Sequence, residues 1–172
     1  MQIYLLDINE KMCQEWQKLF GEDDCIKIVC DDFCNFMKTQ NVECIVSPAN
    51  SFGVMLGGYD LSITKFFGSE LMQKVQEYIK ENYGGIQPVG SAFLIDIPNS
   101  KKKLIHCPVM EKPSTIKNEN VIYDCMMNTL IIARENGISS IVIPAFGCGT
   151  GGVKCESGAK LMKKAYDDFL KE

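Results

Sequence analysis

Short apolar runs alternate along this chain with longer segments whose apolar residues recur at helical spacing. Residues 141–143 are entirely apolar and β-branched, which is typical of a strand covered on both faces. Residues 9–20, by contrast, repeat apolar side chains every three or four positions, as one face of a helix does. The alternation predicts an α/β fold with a mostly parallel, mixed central sheet, formed by residues 1–172 as a single domain.

The same patterns predict the remaining elements. Strands are predicted at residues 3–8, 26–30, 44–46, 91–97, 103–109 and 141–143. Helices are predicted at residues 9–20, 32–38, 61–83, 121–136 and 156–170. The helix predicted at 61–83 is the longest, and Phe66, Leu71 and Ile79 belong to its apolar face.

The composition excludes several classes of protein. Hydrophobic residues make up 46% of the chain and charged residues 23%, so the chain can bury a core and is not expected to be disordered. The formal net charge of −4 argues against a nucleic-acid partner, which requires a basic surface. No apolar stretch approaches the roughly 20 residues of a membrane span, so no membrane association is expected.

The cysteines favour a reducing compartment. The chain has nine, an odd number, and none of them form a C-x-x-C pair. The closest group, Cys25, Cys30 and Cys34, has no spacing typical of a zinc site. We therefore expect free thiols, a cytoplasmic location, no metal and no cofactor.

Two glycine-rich segments, residues 47–60 and 144–153, each follow a predicted buried strand and lead into a helix. In open α/β sheets ligands bind at the carboxyl ends of the strands. Glycine allows the backbone to approach a ligand closely, and free amides favour an anion. Neither segment is a P-loop or a dinucleotide-binding fingerprint, and glycines that only form tight turns remain the alternative. Two such loops at equivalent strand ends predict a phosphate-bearing ligand.

Five segments, in the same order along the chain, resemble the macrodomain family. Val29-Cys-Asp-Asp-Phe33 resembles the motif G-D-I, and Cys44-Ile-Val-Ser-Pro-Ala-Asn-Ser51, followed by Gly57-Gly-Tyr-Asp60, resembles V-N-A-A-N-S followed by G-G-G-V-D. Leu104-Ile-His-Cys-Pro-Val109 resembles V-I-H-x-V-G-P. Residues 133–145 resemble A-x-x-x-G-x-x-S-I-x-F-P-A, and the second glycine-rich loop lies where the family has S-T-G-I-Y-G. The resemblance implies a three-layer α/β/α macrodomain that binds ADP-ribose, free or attached to a protein. It also implies hydrolysis of ADP-ribose linkages. A non-catalytic reader module and an ADP-ribose 1''-phosphate phosphatase remain alternatives, and we expect a monomer.

The resemblance also assigns site residues. It implies that Asn50 contacts the distal ribose and that Asp60 orients or activates a water molecule, so that both are catalytic. Asn50 bridging the loop backbone and Asp60 capping a helix are the structural alternatives. The implied ligand-binding residues are Asp31, Asp32, Phe33, Ala49, Asn50, Ser51, Gly57, Gly58, Phe146, Gly147, Cys148, Gly149, Thr150, Gly151, Gly152 and Val153. Asp32 is the better match for the adenine-binding aspartate, Asp31 is its rival, and either one could instead cap the helix that follows.

The sequence departs from the family pattern at three places. Ser47 and Pro48 replace the first two residues of N-A-A-N, and the second loop lacks its usual aromatic residue. A ring from Phe52, Tyr59 or Phe146 is the possible substitute. The single histidine, His106, lies in a predicted apolar strand, so we expect it to have a structural role.

Overall fold

The structure, a computed structural model, describes residues 1–172 and is organised around one six-stranded sheet. The strands are β1 (Gln2–Asp7), β2 (Ile26–Cys30), β3 (Cys44–Ser47), β4 (Phe93–Asp96), β5 (Lys103–His106) and β6 (Ser140–Pro144). Their order across the sheet is β2-β1-β6-β3-β5-β4. Only β4 runs antiparallel to its neighbour, so the predicted mixed, mostly parallel sheet is confirmed.

Six helices cover the two faces of this sheet. They are α1 (Glu10–Phe20), α2 (Phe33–Thr39), α3 (Gly58–Phe67), α4 (Ser69–Tyr83), α5 (Asn120–Glu135) and α6 (Cys155–Phe169). Side chains of α1, α5 and α6 share one core, and side chains of α2, α3 and α4 share the other. Residues 141–143 are apolar throughout because both faces of this strand are covered. Ile141 and Ile143 belong to the first core, and Val142 belongs to the second. The three-layer α/β/α fold is thereby confirmed.

The prediction of one helix over 61–83 is wrong, because the structure has two helices there. Gly68 ends α3 and precedes α4 with a φ of 92°, a backbone conformation that glycine adopts readily. The first of the two helices begins at Gly58, before the predicted start. Asp60 therefore lies in the first turn of α3 and is not its N-cap, a position that Gly57 occupies without a side-chain hydrogen bond.

The parallel strands place the two glycine-rich loops side by side. The first follows β3 and the second follows β6, and these strands are hydrogen-bonded neighbours with Cys44 paired to Ile141. The loops consequently leave the same edge of the sheet. None of the helices is both long and apolar enough to span a bilayer. All nine cysteines are free thiols.

Candidate functional site

A cleft of about 400 Å³ lies between the two glycine-rich loops, at the carboxyl ends of β3 and β6. Three segments line the cleft. The first loop contributes Pro48, Ala49, Asn50, Val54 and residues 56–60, and the second loop contributes Ala145, Gly147 and residues 149–151. The connection between β5 and α5 contributes Val109, Met110 and Pro113. This is the edge at which α/β sheets bind ligands. The cleft therefore combines both loops into one candidate site.

Five consecutive backbone amides of the second loop have no hydrogen-bond acceptor. The N–H groups from Gly147 to Gly151 donate to no acceptor within the protein. The amides of Gly152 and Val153, by contrast, donate to the carbonyl oxygens of Gly149 and Gly147 and so close the loop on itself. A run of free amides in a glycine-containing turn is a typical anion site. This part of the cleft is suited to a phosphate group.

The connection between β5 and α5, residues 107–119, holds the second loop from outside; we call it the β5–α5 segment. The amide of Ile116 donates to the carbonyl of Gly151 at 2.8 Å. A Cβ atom on Gly151 would lie 2.6 Å from Cδ1 of Ile116, and one on Gly147 would lie 2.8 Å from the same atom. Position 151 requires glycine because a Cβ atom there would also lie 2.5 Å from the carbonyl oxygen of Gly147, and position 147 favours glycine because its φ is 71°. The sequence analysis missed Ile116, whose only signal was an apolar residue within a polar stretch.

Asp60 is the one carboxyl group of the cleft lining, and it is buried. Its side chain is 8% exposed, and its Oδ1 atom accepts a hydrogen bond from the hydroxyl of Ser47 at 2.5 Å. Burial raises the pKa of Asp60 to about 7, and the Ser47 hydrogen bond opposes that rise. A carboxyl group with this pKa exchanges a proton readily near neutral pH.

The side-chain amide of Asn50 is held by hydrogen bonds within the first loop. Its Oδ1 atom accepts hydrogen bonds from the amides of Phe52 and Val54, and its Nδ2 atom donates to the carbonyl of Val54 at 2.9 Å. The side chain therefore bridges the first loop, which was the structural alternative. It also lines the cleft, and Nδ2 has a second hydrogen for a ligand. Contact with a ribose stays a prediction.

The residues predicted to bind adenine lie outside the cleft lining. Asp32 caps α2, since its Oδ1 atom accepts from the amide of Asn35 at 3.0 Å. Asp31 accepts from the amide of Asp32 at 2.7 Å and from Nδ2 of Asn35. Phe33 is 2% exposed and packs edge to face with Tyr59, with ring centroids 5.3 Å apart. The capping alternative thus describes Asp32, and the adenine contact of all three stays untested.

Five further predicted residues also do not line the cleft: Ser51, Phe146, Cys148, Gly152 and Val153. Phe146 is fully buried in the core beneath the second loop. The Sγ atom of Cys148 donates a hydrogen bond to the carbonyl oxygen of Phe146. Of the three rings considered as substitutes for the missing aromatic residue, only Tyr59 lines the cleft.

His106 has the expected structural setting. It is fully buried, and its Nδ1 atom lies 2.6 Å from Oε1 of Gln87. The amide nitrogen of Gln87 donates to the carbonyl oxygen of Ser91, so Oε1 accepts and His106 carries its proton on Nδ1. Burial lowers the pKa of His106 to about 3, so the ring is neutral. No group of three or more His, Cys, Asp and Glu side chains is arranged to hold a metal ion.

The fold and the cleft define an α/β/α protein whose candidate site lies between two glycine-rich loops at one sheet edge. The chain belongs to the macro domain family, since the family model described as "Macro domain" matches residues 46–162. The predicted membership is confirmed.

Known relatives and structures agree with this assignment. An uncharacterized protein of Aquifex aeolicus is 33% identical over 130 residues, covering 75% of each chain. An O-acetyl-ADP-ribose deacetylase of Escherichia fergusonii is 30% identical over 132 residues, which cover 75% of this chain and 73% of that one. The Oceanobacillus iheyensis macrodomain with ADP superposes with a TM-score of 0.66 at 25% identity, covering 76% of this chain and 70% of the other. The macrodomain of Mycobacterium tuberculosis DarG, at 22% identity and a TM-score of 0.64 over 76% of this chain and 84% of the other, shares the fold.

Proposed function

We propose that this protein binds ADP-ribose in the cleft and hydrolyses an ADP-ribose linkage. One observation carries the proposal: the second loop, in which five consecutive amides are free, and the buried carboxyl group of Asp60 line the same cleft. The amides suit a diphosphate, and the carboxyl group suits proton transfer beside the distal ribose. The similarity to a protein named O-acetyl-ADP-ribose deacetylase supports the same substrate class.

The reaction requires a water molecule between Asp60 and the bond to be cleaved. Ionised Asp60 accepts a proton from that water while the water oxygen bonds to the electrophilic carbon. The bond to the acceptor breaks, and the acceptor leaves with its electron pair and takes a proton from solvent. Fixing the diphosphate on the second loop presents the bond near Asp60, and such positioning accounts for a large part of the rate gain in enzymes.

Calorimetry with ADP-ribose and AMP tests the binding step. ADP-ribose is expected to bind with micromolar or tighter affinity, and AMP more weakly, because AMP lacks the second phosphate and the distal ribose. Equal binding of the two at millimolar concentration would contradict the distal-ribose contacts.

Turnover of several ADP-ribose linkages tests the chemical step. Asp60→Ala should lower the rate by about 10²–10⁴-fold and leave ADP-ribose binding in place, because the amides of the second loop remain. Asn50→Ala should reduce both turnover and binding, because it releases the loop that Asn50 bridges. Full turnover by Asp60→Ala on each linkage that the wild type cleaves would refute the role of Asp60.

A reader module is the second candidate function, and Ser47-Pro48 in place of two motif residues favours it. Binding of an ADP-ribosylated protein without turnover would support the reader. Phosphate release from ADP-ribose 1''-phosphate would instead identify the phosphatase.

A further inference from the structure

We propose that Ser47 is a positioning residue of the cleft, whose hydroxyl group holds the carboxyl group of Asp60 so that one oxygen faces the protein and the other the ligand. The inference rests on the proposed function of Asp60. It gives a role to a residue at which the sequence departs from the asparagine of the family pattern.

The backbone fixes Ser47 firmly. It is the last residue of β3, is fully buried and pairs with His106 of β5 in the parallel ladder. Its carbonyl oxygen accepts the amide of Cys107 at 2.9 Å. A side chain at this position therefore has a defined place from which to donate a hydrogen bond.

The hydrogen bond to Asp60 closes the first glycine-rich loop. The two residues are 13 positions apart, one at the end of a strand and the other in the first turn of α3. The 2.5 Å separation between the hydroxyl oxygen and Oδ1 is typical of a donor paired with a carboxylate. The contact ties the helix that carries Asp60 to the sheet.

The two carboxyl oxygens of Asp60 have different surroundings. Oδ1 accepts from Ser47, whereas Oδ2 has no hydrogen bond within the protein. Oδ2 is not fully buried and retains some exposed surface. Because Asp60 lines the cleft, Oδ2 is the oxygen available to a water molecule or a ligand.

The charge environment makes Ser47 the main stabiliser of the ionised form. Tyr59 of α3 and Asp7 at the end of β1 are the other titratable groups here, and the charges of Asp60 and Asp7 add to the effect of burial in raising the pKa of Tyr59. His106, beside Ser47 on β5, is neutral. No lysine, arginine or histidine forms an ion pair with Asp60. Ser47 is the hydrogen-bond donor that lowers the pKa of Asp60 against the effect of burial.

Four proteins test the inference: the wild type, Ser47→Ala, Ser47→Thr and Thr129→Val. Thr129→Val is the matched control, because it removes a fully buried hydroxyl that has no partner, far along the chain in α5. Two quantities are measured, the pH profile of kcat/KM and the titration of the Asp60 carboxyl carbon by NMR.

Ser47→Ala should move both the acidic limb of the profile and the Asp60 titration upward by about one to two pH units, the shift expected for loss of a hydrogen bond to a charged group. At pH 7 this lowers turnover by about 5- to 50-fold, because fewer molecules carry ionised Asp60. Ser47→Thr keeps the hydroxyl and should restore both curves, and Thr129→Val should match the wild type. An unchanged Asp60 titration in Ser47→Ala overturns the inference, whatever happens to the rate.

The two proposals fail in distinguishable ways. If the wild type cleaves no linkage, the hydrolase function fails, and the Asp60 titration alone decides whether Ser47 controls that carboxyl group. If the wild type is active and Ser47→Ala loses activity equally at all pH values, the hydrolase function stands and Ser47 is merely structural.

Discussion

Replacing Asp60 with asparagine is expected to make the protein more stable at alkaline pH while lowering turnover. The carboxyl group is 8% exposed, and its pKa is raised from 3.8 to about 7 by burial. A group with a raised pKa contributes its full stability below its ordinary pKa and loses it as the pH rises toward the folded-state value. Asparagine has nearly the same shape and cannot ionise, and its amide oxygen can still accept the Ser47 hydrogen bond.

The size of the effect follows from the shift. A rise of about three pKa units corresponds to about 4 kcal/mol, because each unit is worth about 1.4 kcal/mol. The free energy of unfolding of Asp60→Asn, relative to the wild type, should therefore be up to about 4 kcal/mol higher at pH 8 than at pH 4. The wild type thus gives up stability to keep an ionised carboxylate in the cleft.

Denaturant unfolding followed by tryptophan fluorescence measures this difference. The chain has a single tryptophan, Trp16, which is fully buried, so its emission reports loss of the core. Asp96→Asn serves as the control, because that carboxyl group is at the surface and its pKa is lowered beside Lys103. At pH 8 Asp96→Asn should be slightly less stable than the wild type, whereas Asp60→Asn should be more stable. If Asp60→Asn is no more stable than the wild type at pH 8, the buried carboxylate does not carry the cost assigned to it.

Three other outcomes are expected. Gly149→Phe should weaken ADP-ribose binding in calorimetry yet leave the melting temperature unchanged, because a Cβ atom there meets nothing within 4 Å; a large drop in melting temperature would contradict this. Gly151→Val should destabilise the protein by about 1–3 kcal/mol in denaturant unfolding, because its Cβ atom would lie 2.5 Å from the carbonyl of Gly147; wild-type stability would argue against the tight packing. The ring of His106, the only histidine, should show no NMR titration between pH 5 and 8; a midpoint near its ordinary value would show that it is not buried neutral.

The alternation of strands and helices, and the glycine-rich loops that follow two of the strands, could be predicted because hydrophobic periodicity and loop composition are local properties of the sequence. The continuous apolar run at 141–143 required two covered faces, and the structure buries alternate residues in different cores. The break at Gly68 escaped prediction because a single glycine within a helical pattern is often tolerated, and its φ is decided by packing.

The roles of individual polar side chains were harder to predict. Asp32 and Asn50 are residue types that bind ligands and also cap helices or bridge turns, and sequence spacing does not separate these roles. Ser47 was noted only as a departure from a pattern. Its hydrogen bond to Asp60 joins residues 13 positions apart, and a contact of that kind depends on the folded geometry.

The close packing around Gly151 sets different evolutionary limits on two positions 35 residues apart. A smaller side chain at position 116 would relieve the 2.6 Å contact between Cδ1 of Ile116 and a Cβ atom at position 151, but the carbonyl oxygen of Gly147 would still lie 2.5 Å from that Cβ atom. Position 116 is therefore expected to vary among descendants of this chain, whereas position 151 is expected to stay glycine.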